Sequence, residues 1–322
     1  MKLIRPSYEI FEQADGIQGV YDMIERCGKI SYKSEAKGGD VAKRFVESRM
    51  KERHGAVLEF GTVYLTIIEP EMEMWMKYSR NPYSKVRIHD SIAYITTNYR
   101  VIIENGWQND LQYLTGPKMF HYRRYTVKFI TDIGVGREFL RHRVMSMVQE
   151  STRYVNYMKE KFGEECTFVI PTWIPEDKVA VGENITWWDG DWVDADKMKI
   201  VKYGPAELEH DPVELWMNAM SNAETDYRVL INLGWTPQQA RTVLPLSTKT
   251  EFVLCGFTDA WRHFFRLRSD IAATGKPHPQ AEELANPLRD EFIERGYITK
   301  KSLEHEAFGD FDVAISDTNL KD

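Results

Sequence analysis

Segments with the periodicity of strands and segments with the periodicity of helices are mixed along this chain without a repeating strand–helix–strand rhythm. Runs rich in β-branched residues predict four strands, at 60–68, 88–97, 125–131 and 251–255. Apolar residues at helical spacing predict helices at 41–53, 99–104, 213–233, 237–241, 259–268 and 280–295, and one that starts near Gly134. This mixture favours an α+β fold, with a mixed or antiparallel sheet and flanking helices, over a doubly wound parallel sheet.

One stretch interrupts the regular patterns. Residues 159–213 contain four prolines and the acidic-aromatic run WWDGDWVDAD, which is typical of a long, irregular insertion with short strands. We therefore predict a single domain over 1–300 with an insertion at about 159–213. Residues 301–322 form a polar, acidic tail for which we expect disorder.

The composition narrows the class of protein. With 43% hydrophobic and 28% charged residues, the 322-residue chain has the profile of a soluble globular protein. No apolar run approaches the ~20 residues that span a bilayer, and the first residues lack the apolar core of a secretion signal. The cysteines are far apart and unpaired in sequence, and they are Cys27, Cys166 and Cys255. Such cysteines suit a reducing cytoplasm and argue against disulfides and against a cysteine-based metal site.

The charge balance argues against nucleic acid as a ligand. Lys and Arg total 42 against 49 Asp and Glu, a net charge of −7. A general nucleic-acid binder would carry a basic excess, because neutralising phosphates drives its affinity. Neither a nucleic-acid nor a membrane partner is therefore expected, and an anionic small molecule would need a local cluster of cations.

The densest cluster of cations lies in residues 136–154. Its basic side chains are Arg137, Arg141, His142, Arg143 and Arg153. In a helix, Leu140, Val144 and Met147 would share one face and Glu138 would lie beside Arg141 and His142. Forked guanidinium donors suit phosphates or the carbonyl oxygens of a heterocycle. Composition alone also allows a solvated basic helix face, or a nucleic-acid module with Tyr154 and Tyr157 as stacking platforms.

A second cluster lies in the helix predicted at 259–268. Trp261, Phe264 and Phe265 form its inward stripe, and Arg268 falls in line with them. A guanidinium on the apolar side must reach a rim or meet a fixed acceptor, because a buried unpaired charge is costly. The ordinary alternative is a salt bridge to Asp270 or to a glutamate of the last helix.

Two further positions carry weaker signals. Arg241 lies in the last turn before Pro245, where a cation also suits the helix dipole. His54 follows a predicted helix and has the usual position of a cap. The sequence has no GxGxxG, GxxxxGK[ST], HExxH or GxSxG pattern.

The pieces together resemble the flavin-dependent thymidylate synthases. The signature of that family, Arg-His-Arg, seven residues, Ser, any residue, Arg, is present without a mismatch from Arg141 to Arg153. Supporting matches are HGAVLE from His54, ARTVLP around Arg241 and WRHFFRLR up to Arg268. The resemblance covers most of 50–68, 124–157 and 214–292, so that 72–123 and 159–213 look like elaborations on a smaller core.

The resemblance implies a reaction and an assembly. A methyltransferase of this family converts dUMP, methylenetetrahydrofolate and NADPH into dTMP, tetrahydrofolate and NADP. FAD passes the reducing equivalents and no cysteine nucleophile is needed. The family implies a cytoplasmic homotetramer of α+β subunits with each active site at a subunit interface.

The resemblance also implies roles for individual residues. The cofactor-binding candidates are His54, Arg141, His142, Arg143, Gln149 and His263. The substrate-binding candidates are Glu138, Arg141, Gln149, Ser151, Arg153, Arg241 and Arg268. Ser151, Arg153 and Arg241 address the dUMP phosphate, and Arg268 is the catalytic residue that stabilises the activated pyrimidine. No metal ligand is expected.

The chain departs from the family at four places. Glu138 stands where the family often has glutamine, and a carboxylate near a phosphate is unfavourable unless Arg137 or Arg141 neutralises it. Phe257 and Asp259 stand where many members have asparagine and arginine, and residues 277–281 match a late family motif only loosely. These departures keep open a relative that binds a nucleotide without catalysis.

Overall fold

The computed structural model describes residues 1–153, 155–159, 163–175, 178, 212–272 and 275–304. The chain divides into two compact units, each of which combines segments that are distant in sequence. Unit 1 comprises Met1–Pro6, Thr131–Gly134 and Ser151–Lys249. Unit 2 comprises Ser7–Ile130, Val135–Glu150 and Thr250–Asp322. The elements confirm the predicted α+β class, because helices flank antiparallel sheets.

A four-stranded sheet has the strand order β2-β6-β9-β7. Its strands are β2 (Ser7–Phe11), β6 (Arg124–Asp132), β7 (Ser146–Gln149) and β9 (Lys249–Phe257). The pairs β2–β6 and β7–β9 are antiparallel. The strands predicted at 125–131 and 251–255 are thus confirmed, each extended by a few residues.

A three-stranded antiparallel sheet of unit 2 corrects one prediction. Its strands are β3 (Thr62–Ile68), β4 (Lys85–His89) and β5 (Ile92–Asn98), in the order β3-β5-β4. The single strand predicted at 88–97 is wrong, because the chain reverses between His89 and Ile92. Asp90 and Ser91 both have positive φ, 47° and 58°, as the two central residues of a tight hairpin require.

Unit 2 contains the helices α1 (Gly16–Ile30), α2 (Gly39–Lys51), α3 (Met72–Ser79), α4 (Tyr99–Glu104), α8 (Thr258–Arg268), α9 (Pro279–Glu294) and α10 (Lys300–Glu304). The helices predicted at 41–53, 99–104, 259–268 and 280–295 are confirmed to within two residues, whereas α1, α3 and α10 were not predicted. Helix α5 (Ile133–Phe139) crosses the boundary between the units in sequence. The start of α4 is set by Asn98, whose side chain accepts a hydrogen bond from the backbone N–H of Val101 at 3.0 Å.

An aromatic core connects the elements that carry the arginine-rich segment and the late helix. Phe129 of β6, Phe139 of α5, Phe252 of β9 and Phe264 of α8 are fully buried and belong to one cluster. The ring centroids of Phe139 and Phe264 are 4.8 Å apart in an edge-to-face arrangement. Since Trp261 and Phe265 are also fully buried, the predicted inward stripe of α8 is confirmed.

The described residues of unit 1 form a short parallel sheet and two α-helices. Its elements are β1 (Lys2–Ile4), β8 (Thr167–Val169), α6 (Pro212–Asn232) and α7 (Pro237–Ala240). The helix predicted at 213–233 is confirmed, with Met220 and Tyr227 buried and Gly234 at φ +92° after its end. Thr236 and Gln239 form a capping box at the start of α7, as expected for a Thr-Pro helix start.

The predicted domain boundaries remain a prediction. Most of the insertion, residues 160–162, 176–177 and 179–211, and the tail from 305 lie outside the described residues. The described part of the insertion contains the short strand β8, and helix α10 extends past the predicted start of the tail at 301. No helix among the described residues is long and apolar enough to cross a membrane.

Candidate active site

The arginine-rich segment is a turn rather than a continuous helix. Helix α5 ends at Phe139, and the backbone N–H groups of His142 and Met145 donate to Phe139 and His142 three residues earlier. The predicted helical face fails as a result, since Val144 is 77% exposed and Met147 belongs to β7. The chain must turn here because β7 starts at Ser146 in register with β9.

The structure brings Arg268 to this turn. Its Nη1 donates to Oε2 of Glu138 at 2.8 Å and its Nη2 donates to the backbone carbonyl of Glu138 at 2.9 Å. Its Nε donates to Nε2 of His142 at 3.3 Å. Residues separated by 126 to 130 positions therefore form one hydrogen-bonded group at the end of α8.

This group decides two questions about charge pairs that the sequence left open. Arg268 is paired with Glu138 rather than with Asp270 or the last helix, and Asp270 instead accepts from Arg289. Glu138 is neutralised by Arg268 rather than by Arg137 or Arg141. The reason is geometric: the last turn of α8 and the end of α5 pack on the same aromatic core and meet there, whereas Arg137 and Arg141 are exposed.

Burial controls the ionisation of this group. Burial of His142 lowers its pKa to about 3, with further lowering by the Arg268 and His263 charges. Burial also lowers the pKa of Arg268; the Glu138 carboxylate opposes that effect and Arg141 adds to it. His142 is therefore neutral at physiological pH, between a paired cation and two exposed arginines.

Arg141 and Arg143 are the accessible cations of the turn. Both are exposed, and neither guanidinium has a hydrogen bond or ion pair with the described part of the chain. Free forked donors on both sides of a neutral histidine suit phosphates and the carbonyl oxygens of an isoalloxazine ring. The residues present thus fit a flavin.

The other cofactor candidates are placed differently. Gln149 of β7 donates from Nε2 to Thr250 Oγ1 at 3.0 Å, and the ring of the exposed His263 lies 5.8 Å from that of His142. His54 is exposed after α2, where its Nδ1 lies 3.4 Å from Glu52 Oε2. No contact between described residues joins His54 to the Arg141–Arg143 turn.

The phosphate candidates form a separate group in unit 1. Arg241 donates from Nη1 to Thr152 Oγ1 at 2.8 Å, which brings it to the Ser151–Arg153 segment. The hydroxyl of Ser151 accepts from the backbone N–H of Arg153 at 3.3 Å. The segment is a turn, not the extended stretch that would place Ser151 and Arg153 on one face, and both Arg153 and Arg241 are exposed.

The cysteines are far less accessible than these arginines. Cys27, Cys166 and Cys255 are all buried and unpaired. Burial raises the pKa of the Cys27 thiol well above its usual value and that of Cys166 to about 12. The described residues also contain no group of His, Cys, Asp and Glu side chains that could hold a metal ion.

The structure argues against the hypothesis that Tyr154 and Tyr157 stack on nucleic-acid bases. Tyr157 is 2% exposed and packs edge-on against Tyr227, so it offers no face to a base. Tyr154 lies outside the described residues.

Phe257 and Asp259, the two residues near the start of α8 that depart from the family pattern, share a neighbour that the sequence did not indicate. Asp259 pairs with Lys85 of β4 at 2.8 Å, and the Lys85 Nζ lies 4.8 Å from the centroid of the Phe257 ring. Lys85 is 174 positions away in a segment without a recognised motif, so no local pattern could have indicated it.

Solved structures similar to this chain include a UMP/dUMP methylase PolB from Streptomyces cacaoi bound with 5-Br dUMP. It is 17% identical, with a TM-score of 0.41 over 91% of this chain and 93% of that one. A second PolB structure, bound with 5-Br UMP, has a TM-score of 0.40. At these scores the likeness carries no inference about this chain.

Relatives by sequence are more informative. A flavin-dependent thymidylate synthase from Thermosipho melanesiensis is 27% identical over 171 residues, 53% of this chain and 65% of that protein. Proteins with the same name from Thermosipho africanus and Pyrococcus furiosus are 25% and 28% identical, over 65% and 40% of their lengths. The chain thus matches less than two thirds of the length of these relatives.

A family model covers more of the chain. The model described as Thymidylate synthase complementing protein matches residues 106–294, which is more than half of the chain and includes the whole motif from Arg141 to Arg153. The chain therefore belongs to this family, that of the flavin-dependent thymidylate synthases, as the motif predicts.

Proposed function

We propose that this protein is a methyltransferase that reductively methylates dUMP to dTMP with methylenetetrahydrofolate and NADPH and with FAD as cofactor. The observation that carries the proposal is the contact of Arg268 with His142 inside a complete family motif. The residue expected to act on the pyrimidine and the triplet expected to hold the flavin are thus neighbours in the structure.

Arg268 is the proposed catalytic residue. A guanidinium has five N–H donors, and the contacts with Glu138 and His142 use three of them. The remaining two donors are available to a pyrimidine carbonyl and to the N3-deprotonated ring edge. A fixed cation there stabilises the negative charge that develops when carbon 5 of the ring becomes nucleophilic. The buried contacts hold the guanidinium in place before the substrate binds.

The phosphate of dUMP is assigned to Ser151, Arg153 and Arg241. Support comes from the 2.8 Å contact of Arg241 with Thr152, which gathers two exposed guanidinium groups at one turn. Arginine forks match phosphate oxygens in a bidentate manner. Glu138, Arg141 and Gln149 are further candidates for contact with the nucleotide.

The flavin is assigned to Arg141, His142 and Arg143, with Gln149, His54 and His263 as additional contacts. Bound FAD supplies hydride chemistry that no side chain can perform. The two exposed arginines bind its anionic and carbonyl groups, and neutral His142 donates a hydrogen bond without adding charge. The buried cysteines are consistent with a reaction that does not use a thiol nucleophile.

The assembly and location belong to the same proposal. The family resemblance supports a homotetramer with interfacial active sites, and three free cysteines suit a reducing cytoplasm. Partners are then the small-molecule substrates dUMP and folate, with no nucleic acid and no membrane.

The proposal is tested with the purified full-length chain. We expect a yellow protein whose flavin absorbance bleaches when NADPH is added without oxygen, and which releases tritium from 5-tritiated dUMP when methylenetetrahydrofolate is present. Absence of flavin binding on titration would refute the proposal. Flavin binding without tritium release would instead indicate a relative that binds nucleotides without catalysis.

A further inference from the structure

A surface of unit 2 outside the motif combines cations with aromatic rings. We call it the basic–aromatic surface, and it consists of Lys85, Arg87, Tyr122, Arg124 and Phe257. The Arg87 guanidinium carbon and the Lys85 Nζ lie 4.5 and 5.2 Å from the centroid of the Tyr122 ring. Lys85 Nζ and the Arg124 guanidinium carbon lie 4.8 and 5.6 Å from the centroid of the Phe257 ring.

Local structure explains this arrangement. Lys85 and Arg87 are two residues apart on β4, so their side chains point to the same side of the sheet. Phe257 is the last residue of β9, and Arg124 is the first residue of β6. The strand ends and one strand face thus bring three cations together in a chain whose net charge is −7.

The charges of this surface are only partly compensated. Asp259 pairs with Lys85, whereas the described residues offer no carboxylate partner to Arg87 or Arg124. Arg124 is 9% exposed, and its guanidinium donates to the Thr62 hydroxyl, the Ser146 hydroxyl and a backbone carbonyl, all of which are neutral. A nearly buried cation without a counter-ion is costly, and a bound anion would reduce that cost.

The surface adjoins the proposed flavin site. Arg124 donates to Ser146 Oγ at 3.4 Å, three residues after Arg143, and to the carbonyl of Glu59 at 3.1 Å, five residues after His54. A ligand that starts at the Arg141–Arg143 turn and continues past Ser146 would meet these cations and rings.

We propose that the basic–aromatic surface binds the adenosine diphosphate portion of FAD. Arg87 and Lys85 hold the phosphate on its adenosine side, which FMN lacks. Arg124 supplies buried positive charge, and the adenine packs against Tyr122 and Phe257. Lys85 thereby supplies a cation beside position 259, where this chain carries an aspartate. This inference rests on the proposed function for the identity of the ligand.

The test compares two flavins. FAD and FMN share the isoalloxazine ring, and only FAD carries the adenosine half, so the ratio of their dissociation constants isolates this surface. We expect Arg87→Ala and Lys85→Ala in the full-length chain to weaken FAD binding about tenfold, the loss of one charge-assisted hydrogen bond. FMN binding should change less than about twofold.

Two matched variants sharpen the test. Asp259→Asn removes the carboxylate that competes for Lys85, and should tighten FAD binding about threefold. Arg80→Ala removes an exposed arginine from the same segment, and should leave both dissociation constants unchanged. Unchanged FAD affinity in the Arg87 and Lys85 variants would overturn the inference, and so would an equal loss for FAD and FMN.

ADP separates this inference from the proposed function. If neither flavin binds the wild-type chain but ADP binds and Arg87→Ala weakens that binding about tenfold, the flavin proposal fails and the nucleotide surface stands. If ADP does not bind, or binds equally well to the variant, the surface is not a nucleotide site.

Discussion

The two ends of the Arg141–Arg153 motif are held in different ways. At the first end, the His142 ring is 5% exposed and Arg268 reaches it from the end of a helix packed on the aromatic core. At the second end, Arg153 and Arg241 are exposed, and Arg241 is joined to the Ser151–Arg153 turn by a hydrogen bond that its guanidinium donates to the Thr152 hydroxyl.

This difference indicates that the first end positions the reacting groups and that the second end binds the ligand. A group fixed by buried contacts is organised before its ligand arrives, so its loss should appear mainly in the rate of the chemical step. Exposed arginines lose side-chain entropy only when the ligand binds, so their loss should appear mainly in affinity. Four predictions test this contrast.

Arg268→Ala should have the largest effect. Removing the fixed cation should lower the rate of tritium release from 5-tritiated dUMP by at least about 100-fold while flavin remains bound. Arg268→Lys should not restore the rate, because an ammonium cannot make the forked contacts with Glu138 and His142. Equal turnover in the alanine variant would refute the catalytic assignment.

His142→Gln should change how stability depends on pH. The folded-state pKa of about 3 lies below the ordinary 6.5, so below pH 6.5 the unfolded chain takes up a proton that the folded chain does not. This contribution to stability is complete above pH 6.5 and is lost as the pH falls toward 3. Between pH 7 and pH 5 the wild-type free energy of unfolding should therefore fall by about 2 kcal/mol more than that of His142→Gln.

Urea unfolding at the two pH values measures this difference. Buried His121, whose pKa burial lowers to about 4, contributes its own pH dependence equally to both proteins. His263→Gln, an exposed neighbour on α8, is the matched control. Identical pH dependence in wild type and His142→Gln would contradict a buried, neutral imidazole.

Arg241→Ala tests the exposed end. It should raise the KM for dUMP about tenfold with little change in kcat, because one charge-assisted phosphate contact is lost. Thr152→Val, which removes only the hydroxyl that Arg241 contacts, should raise KM less than about threefold. A large fall in kcat in either variant would mean that this end also positions the reacting groups.

Glu138→Gln should have a small effect of opposite sign. The carboxylate competes with an anionic pyrimidine for the Arg268 guanidinium, whereas a glutamine oxygen still accepts the Nη1 hydrogen bond. The KM for dUMP should fall about threefold. Steady-state kinetics with Glu138→Ala as control separates charge from geometry, and a higher KM in the glutamine variant would show that the ion pair is needed for binding.

Local patterns predicted much of the fold because local forces set it. Helix α4 was predictable to the residue since Asn98 caps it, and α6 has a clear helical period closed by Gly234. The hairpin between β4 and β5 was missed because Asp90-Ser91 lacks the glycine that usually marks such a turn. Helix α5 was predicted too long because the register of β7 with β9, a long-range pairing, ends it.

The site was predictable as a set of residues but not as a set of contacts. The motif and the family resemblance gave Arg141, His142, Arg143 and Arg268. They did not give the Arg268–Glu138 pair or the Lys85–Asp259 pair, which join positions 130 and 174 residues apart. The spacing of charged residues along the sequence does not indicate which of them pair over a long range. The pairs become evident only from the three-dimensional arrangement of the helices and strands.

The hydrogen bond from Arg268 to His142 also determines what the imidazole can recognise. A guanidinium N–H only donates, so the Nε2 atom that it contacts must carry a lone pair, and the proton of the neutral ring then resides on Nδ1. Toward a ligand His142 is therefore a donor and not an acceptor, which selects oxygen atoms and rejects N–H groups. A side chain at position 268 that cannot donate would free the second tautomer, and would thereby alter the selectivity of a side chain 126 residues earlier in the sequence.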